Sequence, residues 1–462
     1  MSEAKEILGR SLWAYRLLRW ILKVATEVFF RRIEVGGAEH LPDDGAVIFF
    51  GNHPNSLLDP VLLTAHSKRV VHFAAKDVLF KNPVLRFFMG IAGAVPVRRR
   101  MDHDAESVDN SSMFETLYEV LAAGRATGIF PEGISHDRSQ LAPMKTGAAR
   151  LALGVKSRHP ETSVYLVPTG LVYFDRHRFR SNVLIQYGLP IEIDDEWIAR
   201  SVDDDQETVR ELTELIDQRL RALTINADHW NRVWVLDAVR RLYQPPDASL
   251  GERVRIARRF NLAYPKVKAD PEVRKVYRRV EAYLFRSQAS GLDDATLRSD
   301  VGPSFIALSV IGHLVLLGVY LPLFLIGAIV HVPLGLLLKL ASRYFAPRSD
   351  VVATTKFVLG LMLVILVYGL LIAVTWWKLG PWFALLIGLL LPSSGWATVK
   401  VLGRAYAVRH AMLTFVRLAT LRKEIEELRR ERGELVGEVT RLVEAFREVA
   451  DQAEAELEGE QQ

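Results

Sequence analysis

The 462-residue sequence contains no cysteine, which removes thiol nucleophiles, disulfide frameworks and the usual zinc sites in one step. Redox chemistry therefore says nothing about compartment. Net charge is also scarce: 59 Lys and Arg against 54 Asp and Glu leave a formal +5, too modest to argue for nucleic acid as a partner. Charge is missing altogether from residues 304–338, 357–377 and 379–399, while the rest of the chain reads like a soluble protein. Such runs predict an integral membrane protein with a large polar domain. Asn110-Ser111-Ser112 fits a glycosylation acceptor, but so short a pattern arises by chance and carries no weight.

Residues 11–30 hold Arg16, Arg19, Lys23 and Glu27 at spacings of three and four within a run of Leu, Trp, Ile, Val and Phe. One charged stripe on an apolar helix suits a helix lying in the lipid interface, or one packed on a core by its apolar face. No small-residue cleavage site follows it. From Ile33 to Thr224 strands and helices alternate, which predicts an α/β domain. The strands expected are Ala46–Phe50, Val70–Ala74, Gly93–Val97, Gly128–Phe130, Ser163–Pro168 and Asn182–Tyr187. The helices expected are Pro60–Ser67, Pro83–Gly90, Ser112–Ala123, Thr146–Lys156 and Asp204–Thr224. Five segments result: an amphipathic interfacial helix in 1–33, the α/β domain in 34–224, charged helices in 225–300, membrane-embedded helices in 301–402 and a tail in 403–462.

As one helix, 304–338 would be about 52 Å long, well beyond the roughly 30 Å of a bilayer core. Pro322 and Pro333 point instead to a short hairpin or a re-entrant pair. Blocks 357–377 and 379–399 predict a tight helical hairpin with Trp376, Trp377 and Trp382 as an interfacial belt. Lys339, Arg343, Arg348 and Lys356 before it, and Lys400, Arg404 and Arg409 after it, assign both flanks and the α/β domain to the cytoplasmic side. In the tail, Leu421, Ile425, Leu428, Leu435, Val439, Leu442, Phe446 and Val449 keep a three-four spacing, with Arg432 at the one missed core position. That pattern fits a coiled coil, hence a homo-oligomer through this helix, or a helix folded back on 225–300. Gly433 and Gly437 are expected to weaken it.

The chemistry-bearing stretch is NHPNSLLDP, Asn52 to Pro60, at the end of the apolar run AVIFF. His53 falls on a strand-to-helix turn, and Asp59-Pro60 reads as a helix start with Asp as N-cap. A carboxylate near an imidazole fixes its tautomer and steadies the imidazolium formed on taking a proton, which makes His53 a candidate general base. Spacing alone leaves a plain cap and a turn histidine equally open. Gly93 to Arg100, GAVPVRRR, delivers guanidinium groups at a strand end, suited to a phosphate or to anionic lipid. In GIFPEGISH, Glu132 is read as an acceptor for a substrate hydroxyl or a brace for Arg99, and Gly133 as a place where backbone amides approach a ligand.

Taken in order, NHPNSLLDP, GAVPVRR, FPEGISHD and LVPTG resemble the PlsC-like glycerophosphate acyltransferase family. GISHDRSQLAPMKTGAARLAL, FRSNVLIQYGLPIEI and the helical-then-membrane second half look like its fungal-type glycerol-3-phosphate/dihydroxyacetone-phosphate members and their bacterial relatives, over about residues 34–400. The commoner pattern has four residues between His and Asp; here there are five, as fungal-type members tolerate. The resemblance implies a glycerol-3-phosphate acyltransferase-like domain with a mixed sheet flanked by helices. It implies His53 and Asp59 as catalytic residues, and Arg99, Glu132, Gly133 and Ser135 at the glycerol-phosphate positions. Lys145 is a further phosphate contact, and Pro168 lies on the acyl-donor side. No cofactor is implied; acyl-CoA or an acyl carrier protein is co-substrate, and a phospholipid membrane is the partner. Lacking a Gly-x-Ser-x-Gly elbow and cysteine, the chain favours direct transfer over an acyl-enzyme. The acceptor is expected to be glycerol-3-phosphate or dihydroxyacetone phosphate, with lysophosphatidate or another lysophospholipid as the sister reading and an inactive membrane scaffold as the rival.

Overall fold

A computed structural model describes residues 12–81, 83–97, 111–298, 303–346 and 348–459. Arg98, Arg99, Arg100 and Asn110 lie outside the described residues. The chain opens with α1 (Leu12–Phe29), β1 (Arg32–Gly36), β2 (Ala46–Gly51), α2 (Leu58–His66), β3 (Val71–Lys76), α3 (Pro83–Ala92) and β4 (Val95–Val97). It continues with α4 (Ser111–Ala122), β5 (Ala126–Ile129), α5 (Gly147–Arg158), β6 (Val164–Tyr173), β7 (Asn182–Tyr187), β8 (Ile191–Glu192), α6 (Asp195–Asp203) and α7 (Asp205–Arg221). The strands form one mixed sheet in the order β1-β7-β6-β2-β5-β3-β4, with β8 beside β6. Pairing is parallel except that β7 and β8 run antiparallel to β6.

The unbroken apolar run of β2 follows from its central place, since every residue of it is buried. Alternate side chains serve opposite faces. Ala46, Ile48 and Phe50 pack with α4, α5 and α7, whereas Val47 and Phe49 pack with Phe29 of α1 and with Leu58 and Leu62 of α2. At about 25 cal/mol per Å² of apolar surface, this two-sided burial is the main stabilising term of the domain. The expected strands and helices are found with shifted ends, and three elements were not anticipated. β1 has the exposure pattern of an edge strand, so its charged residues broke the apolar signal. β8 has only two residues. The expected helix from Asp204 is preceded by a separate α6, because the Asp204 side chain accepts from the Glu207 amide and starts α7 anew.

The charged region folds as α8 (Trp230–Tyr243), α9 (Leu250–Val267), α10 (Pro271–Ala289) and the short α11 (Asp294–Arg298). Glu34 of β1 accepts from the amides of Leu250 and Gly251, tying the start of α9 to the sheet edge. After three long helices described below, the tail forms α15 (Arg422–Ala445) and α16 (Arg447–Gly459). Its seam of Ile425, Leu428, Leu435 and Val439 is buried against Val235, Val280 and Tyr283 of this same chain. The coiled-coil expectation is therefore corrected: the tail folds back on 225–300, and that seam is spent within the chain. Arg432 keeps its place in the seam because both oxygens of Asp294 accept from it, at 2.9 and 3.2 Å. A Cβ added at Gly433 or Gly437 would meet nothing within 4 Å, so both glycines face away from the seam.

Among the described residues, three helices are long and apolar enough to cross a membrane: α12 (Pro303–Phe345), α13 (Val352–Leu379) and α14 (Pro381–Thr420). α13 and α14 form the expected hairpin about Gly380, Tyr368 donating to the carbonyl of Leu391 at 3.0 Å. The helix break expected in 304–338 is corrected, for α12 runs unbroken over 43 residues with Pro322 and Pro333 inside it. Along it, Tyr320 meets Trp396, Gly327 meets Ser394, His331 bonds Tyr368, and Leu338 lies beside Gly360, so α12 packs on both arms of the hairpin.

Candidate active site

Parallel neighbours deliver their C-terminal ends to one edge of a sheet, so the loops after β2 and β5 meet there although their residues are far apart in sequence. Asn52 fixes the first loop by side-chain hydrogen bonds to the amide and carbonyl of Leu171 on β6. His53 follows, its ring stacked on Phe130 at 4.2 Å and 7°. Phe130 in turn stacks on Phe73, which lies across Gly128; a Cβ there would fall 2.0 Å from the Phe73 ring, so only glycine admits the stack.

His53 Nδ1 bonds Asp59 Oδ2 at 2.8 Å. Asp59 is fully buried, yet its charge is met by donors: the Asn55 amide also reaches Oδ2 at 2.8 Å, and the Tyr173 hydroxyl donates to Oδ1 at 2.6 Å. The N-cap expected of Asp59 is therefore corrected. α2 starts at Leu58 with no side-chain cap, because a carboxylate committed to the imidazole has turned away from the helix amides. Burial first, and the Asp59 charge second, push the Tyr173 hydroxyl well above its usual value, so it stays a proton donor to that carboxylate. With Nδ1–H directed at Asp59, the lone pair of His53 falls on Nε2, which has no protein partner among the described residues. The imidazole keeps 12% of its side-chain surface exposed and the acid none, so a ligand reaches the base without reaching its partner.

Glu132 is buried behind this loop. One oxygen accepts from the His53 amide at 2.9 Å, and the other from the Ala142 amide at 2.7 Å and from the His136 ring. Burial alone would raise its proton affinity, but the hydrogen bonds from His136, Ala142 and His53 outweigh it and hold the carboxylate below the ordinary range. The His136 amide donates to the carbonyl of His53 at 3.2 Å, so the backbone of the base is gripped on both sides. Glu132 is thus engaged with the protein through both oxygens. Gly133 has φ +72°, and a Cβ on it would lie 2.7 Å from Nζ of Lys145, whose exposed side chain crosses the loop at that point. Ser135 donates to Asp350 Oδ2 at 2.6 Å and accepts from Arg348. Pro168 is buried in β6 opposite Phe50, inside the sheet and short of its open edge. Arg99 is outside the described residues.

Tyr173, His136, Asp350 and Thr354 were missed by sequence reasoning. Asp350 lies 215 positions from the serine it binds, and no local pattern spans such a gap. A surface cleft of about 620 Å³ between Arg138, Met144, Gln218 and Arg221 contains none of the predicted site residues. Among the described residues no group of His, Cys, Asp or Glu is arranged to hold a metal ion. What the arrangement provides is a basic nitrogen at an accessible edge, backed by a buried carboxylate and held by two loops.

Residues 32–172 match the Acyltransferase family, and residues 235–447 match the glycerol-3-phosphate acyltransferase 2 C-terminal domain. Glycerol-3-phosphate O-acyltransferase 2 of Saccharomyces cerevisiae is 25% identical over 77% of this chain and 64% of that protein. Glycerol-3-phosphate O-acyltransferase 1 of the same yeast is 26% identical over 77% of this chain and 60% of that protein. The chain thus spans under two thirds of the length of these relatives. Among solved structures, the 1-acyl-sn-glycerophosphate (LPA) acyltransferase PlsC of Thermotoga maritima shares 20% identity, covering 43% of this chain and 79% of that one at a TM-score of 0.30.

Proposed function

We propose that this chain, whose residues 32–172 match the Acyltransferase family, moves a fatty acyl group from acyl-CoA or acyl carrier protein to a hydroxyl of glycerol-3-phosphate or dihydroxyacetone phosphate. The observation that carries the reading is the His53–Asp59 pair with Nε2 left open. Nε2 takes the proton of the acceptor hydroxyl as its oxygen attacks the thioester carbonyl. The tetrahedral intermediate then collapses, the C–S bond breaks, and the imidazolium returns the proton to the leaving thiolate. Asp59 holds the ring and stabilises its transient charge. Arg99, Gly133, Ser135 and Lys145 are assigned to the acceptor phosphate, Glu132 to the same loop, and Pro168 to the donor side. The engagement of both Glu132 oxygens favours a bracing role for it over a hydroxyl contact.

Trp13, Leu17, Trp20, Val24 and Val28 are exposed apolar residues along α1, while the buried Phe29 packs edge-on against Phe357 of α13. This supports seating α1 in the lipid interface. The residues before α12, between α12 and α13, and after α14 all bond to the polar part of the chain, through Asp294, Arg348 with Asp350, and Glu431. That leaves the α13–α14 hairpin as the crossing element, with the basic open end on the cytoplasmic side. The test supplies the full chain in vesicles with acyl-CoA and, in turn, glycerol-3-phosphate, dihydroxyacetone phosphate, lysophosphatidate and lysophosphatidylcholine. Thiol release with either of the first two acceptors, abolished by His53→Ala, is expected. Release only with a lysophospholipid supports the sister reading, and none with any acceptor supports a scaffold.

A further inference from the structure

We propose that the strap Arg348–Thr354, which runs into the first turn of α13, is a positioning element for the catalytic turn, with Thr354 as its principal contact; this rests on the acyl-transfer reading above. The turn between His53 and α2 contains Ser56 at φ +50°, one of two non-glycine residues with positive φ among the described residues. Such a conformation persists only where its surroundings over-determine it. The two polar groups that flank Ser56 are both held by one hydroxyl from 299 and 296 positions away. Thr354 Oγ1 donates to the Asn55 carbonyl at 2.6 Å and accepts from the Leu58 amide at 3.1 Å. Asn55 is the residue whose amide donates to Asp59 Oδ2, so the hydroxyl acts on the acid that orients His53.

Four residues earlier, the strap takes hold of the second catalytic loop. Asp350, buried and paired with Arg348, accepts from Ser135, while Arg348 also donates to the Ser135 carbonyl at 3.1 Å. That loop carries Glu132, which grips the amide of His53. Ala353 and Phe357 are buried with Leu58 and Leu62, so the strap has a packed seat and not only polar hooks. One short segment thus bonds both loops that set the base and continues directly into a lipid-facing helix. Neither catalytic loop keeps its place by local sequence alone.

Thr354→Val keeps the shape and removes both hydrogen bonds; Thr354→Ser keeps the hydroxyl. In full-length protein in vesicles, Thr354→Val is expected to lower kcat about tenfold with KM for donor and acceptor within about twofold, since a small displacement of a catalytic group acts on the chemical step. Thr354→Ser is expected to restore kcat. Melting temperature is read alongside: a segment that merely docks the membrane helix would change melting and leave kcat of the folded fraction at the wild-type value, which overturns the proposal. Should Thr354→Val fail to fold, Asp350→Asn is expected to show the same kcat-against-KM split, and an unchanged kcat there overturns it equally. A wild-type chain that releases no CoA with any acceptor overturns the acyl-transfer reading and the strap's role together. Active wild type beside an equally active Thr354→Val overturns the strap alone.

Discussion

At the scale of single residues, the Asp59 carboxylate decides which nitrogen of His53 carries the proton. Asp59→Asn presents an amide N–H or a weaker acceptor in its place and lets the other tautomer compete. By analogy with the serine-protease triad, kcat is expected to fall by on the order of 10³ to 10⁴ with little change in fold. Rate assays with circular dichroism check it, and a loss under tenfold would place the proton elsewhere. Tyr173→Phe is milder, because Asp59 keeps the His53 and Asn55 donors while Oδ1 is left buried without its hydroxyl. A lost hydrogen bond to a charged group costs about 1.5–3 kcal/mol, readable as a lower melting point and a smaller drop in kcat than for Asp59→Asn. The His-Asp pair was legible from NHPNSLLDP because it is local. The role of Asp59 as a cap was misread for the same reason: Asp-Pro is a common helix start, and nothing nearby reveals that Tyr173 and His53 claim both oxygens.

At the scale of elements, the docking of α1 on α2 contains a pH-sensitive contact. His66 lies against the Thr26 hydroxyl at 3.1 Å, and burial, then the charges of Lys23 and Arg19, lower its pKa to about 4. The unfolded chain binds a proton near the ordinary 6.5 while the folded chain refuses it, so stability falls as pH drops from about 6.5 toward 4 and levels below that. Hydrogen exchange over residues 12–29 is expected to quicken across that window and to flatten in His66→Gln. The tail offers a second element-scale test. Arg432 and Asp294 keep side-chain exposures of only 11% and 15%, so Asp294→Ala strands a nearly buried cation and is expected to cost roughly 3–5 kcal/mol by denaturant melting. Exposed pairs such as Arg286–Glu431 are each expected to contribute under about 1 kcal/mol. The seam itself was plain in the three-four spacing. Its partner was not, because periodicity tells that a face is buried and never by which surface.

At the scale of the whole molecule, the alternation of apolar runs with turn residues was enough to anticipate an α/β domain and a membrane hairpin. The continuity of α12 was not, since two prolines in an uncharged run announce a distortion without saying whether backbone bonding stops. Absence of cysteine makes the topology easy to test. Ser349→Cys and Glu444→Cys are expected to react with an impermeant maleimide from the same side of sealed vesicles, and Lys378→Cys, at the hairpin tip, only from the other. Labelling of positions 349 and 378 from one side would contradict the arrangement of α13.

The burial of Ala353 and Phe357 against Leu58 and Leu62, next in the chain to Asp59, sets the catalytic edge beside the foot of α13. If the proposed acyl transfer takes place at this edge, an esterified glycerol-phosphate leaving it has the apolar foot of α13 within reach. With each methylene worth about 0.8 kcal/mol of transfer, a chain of about fifteen would lose on the order of 12 kcal/mol on entering water. On that reading, departure sideways along the helix avoids the barrier, and the contact that seats α13 on the α/β domain gives an acylated product a dry way out.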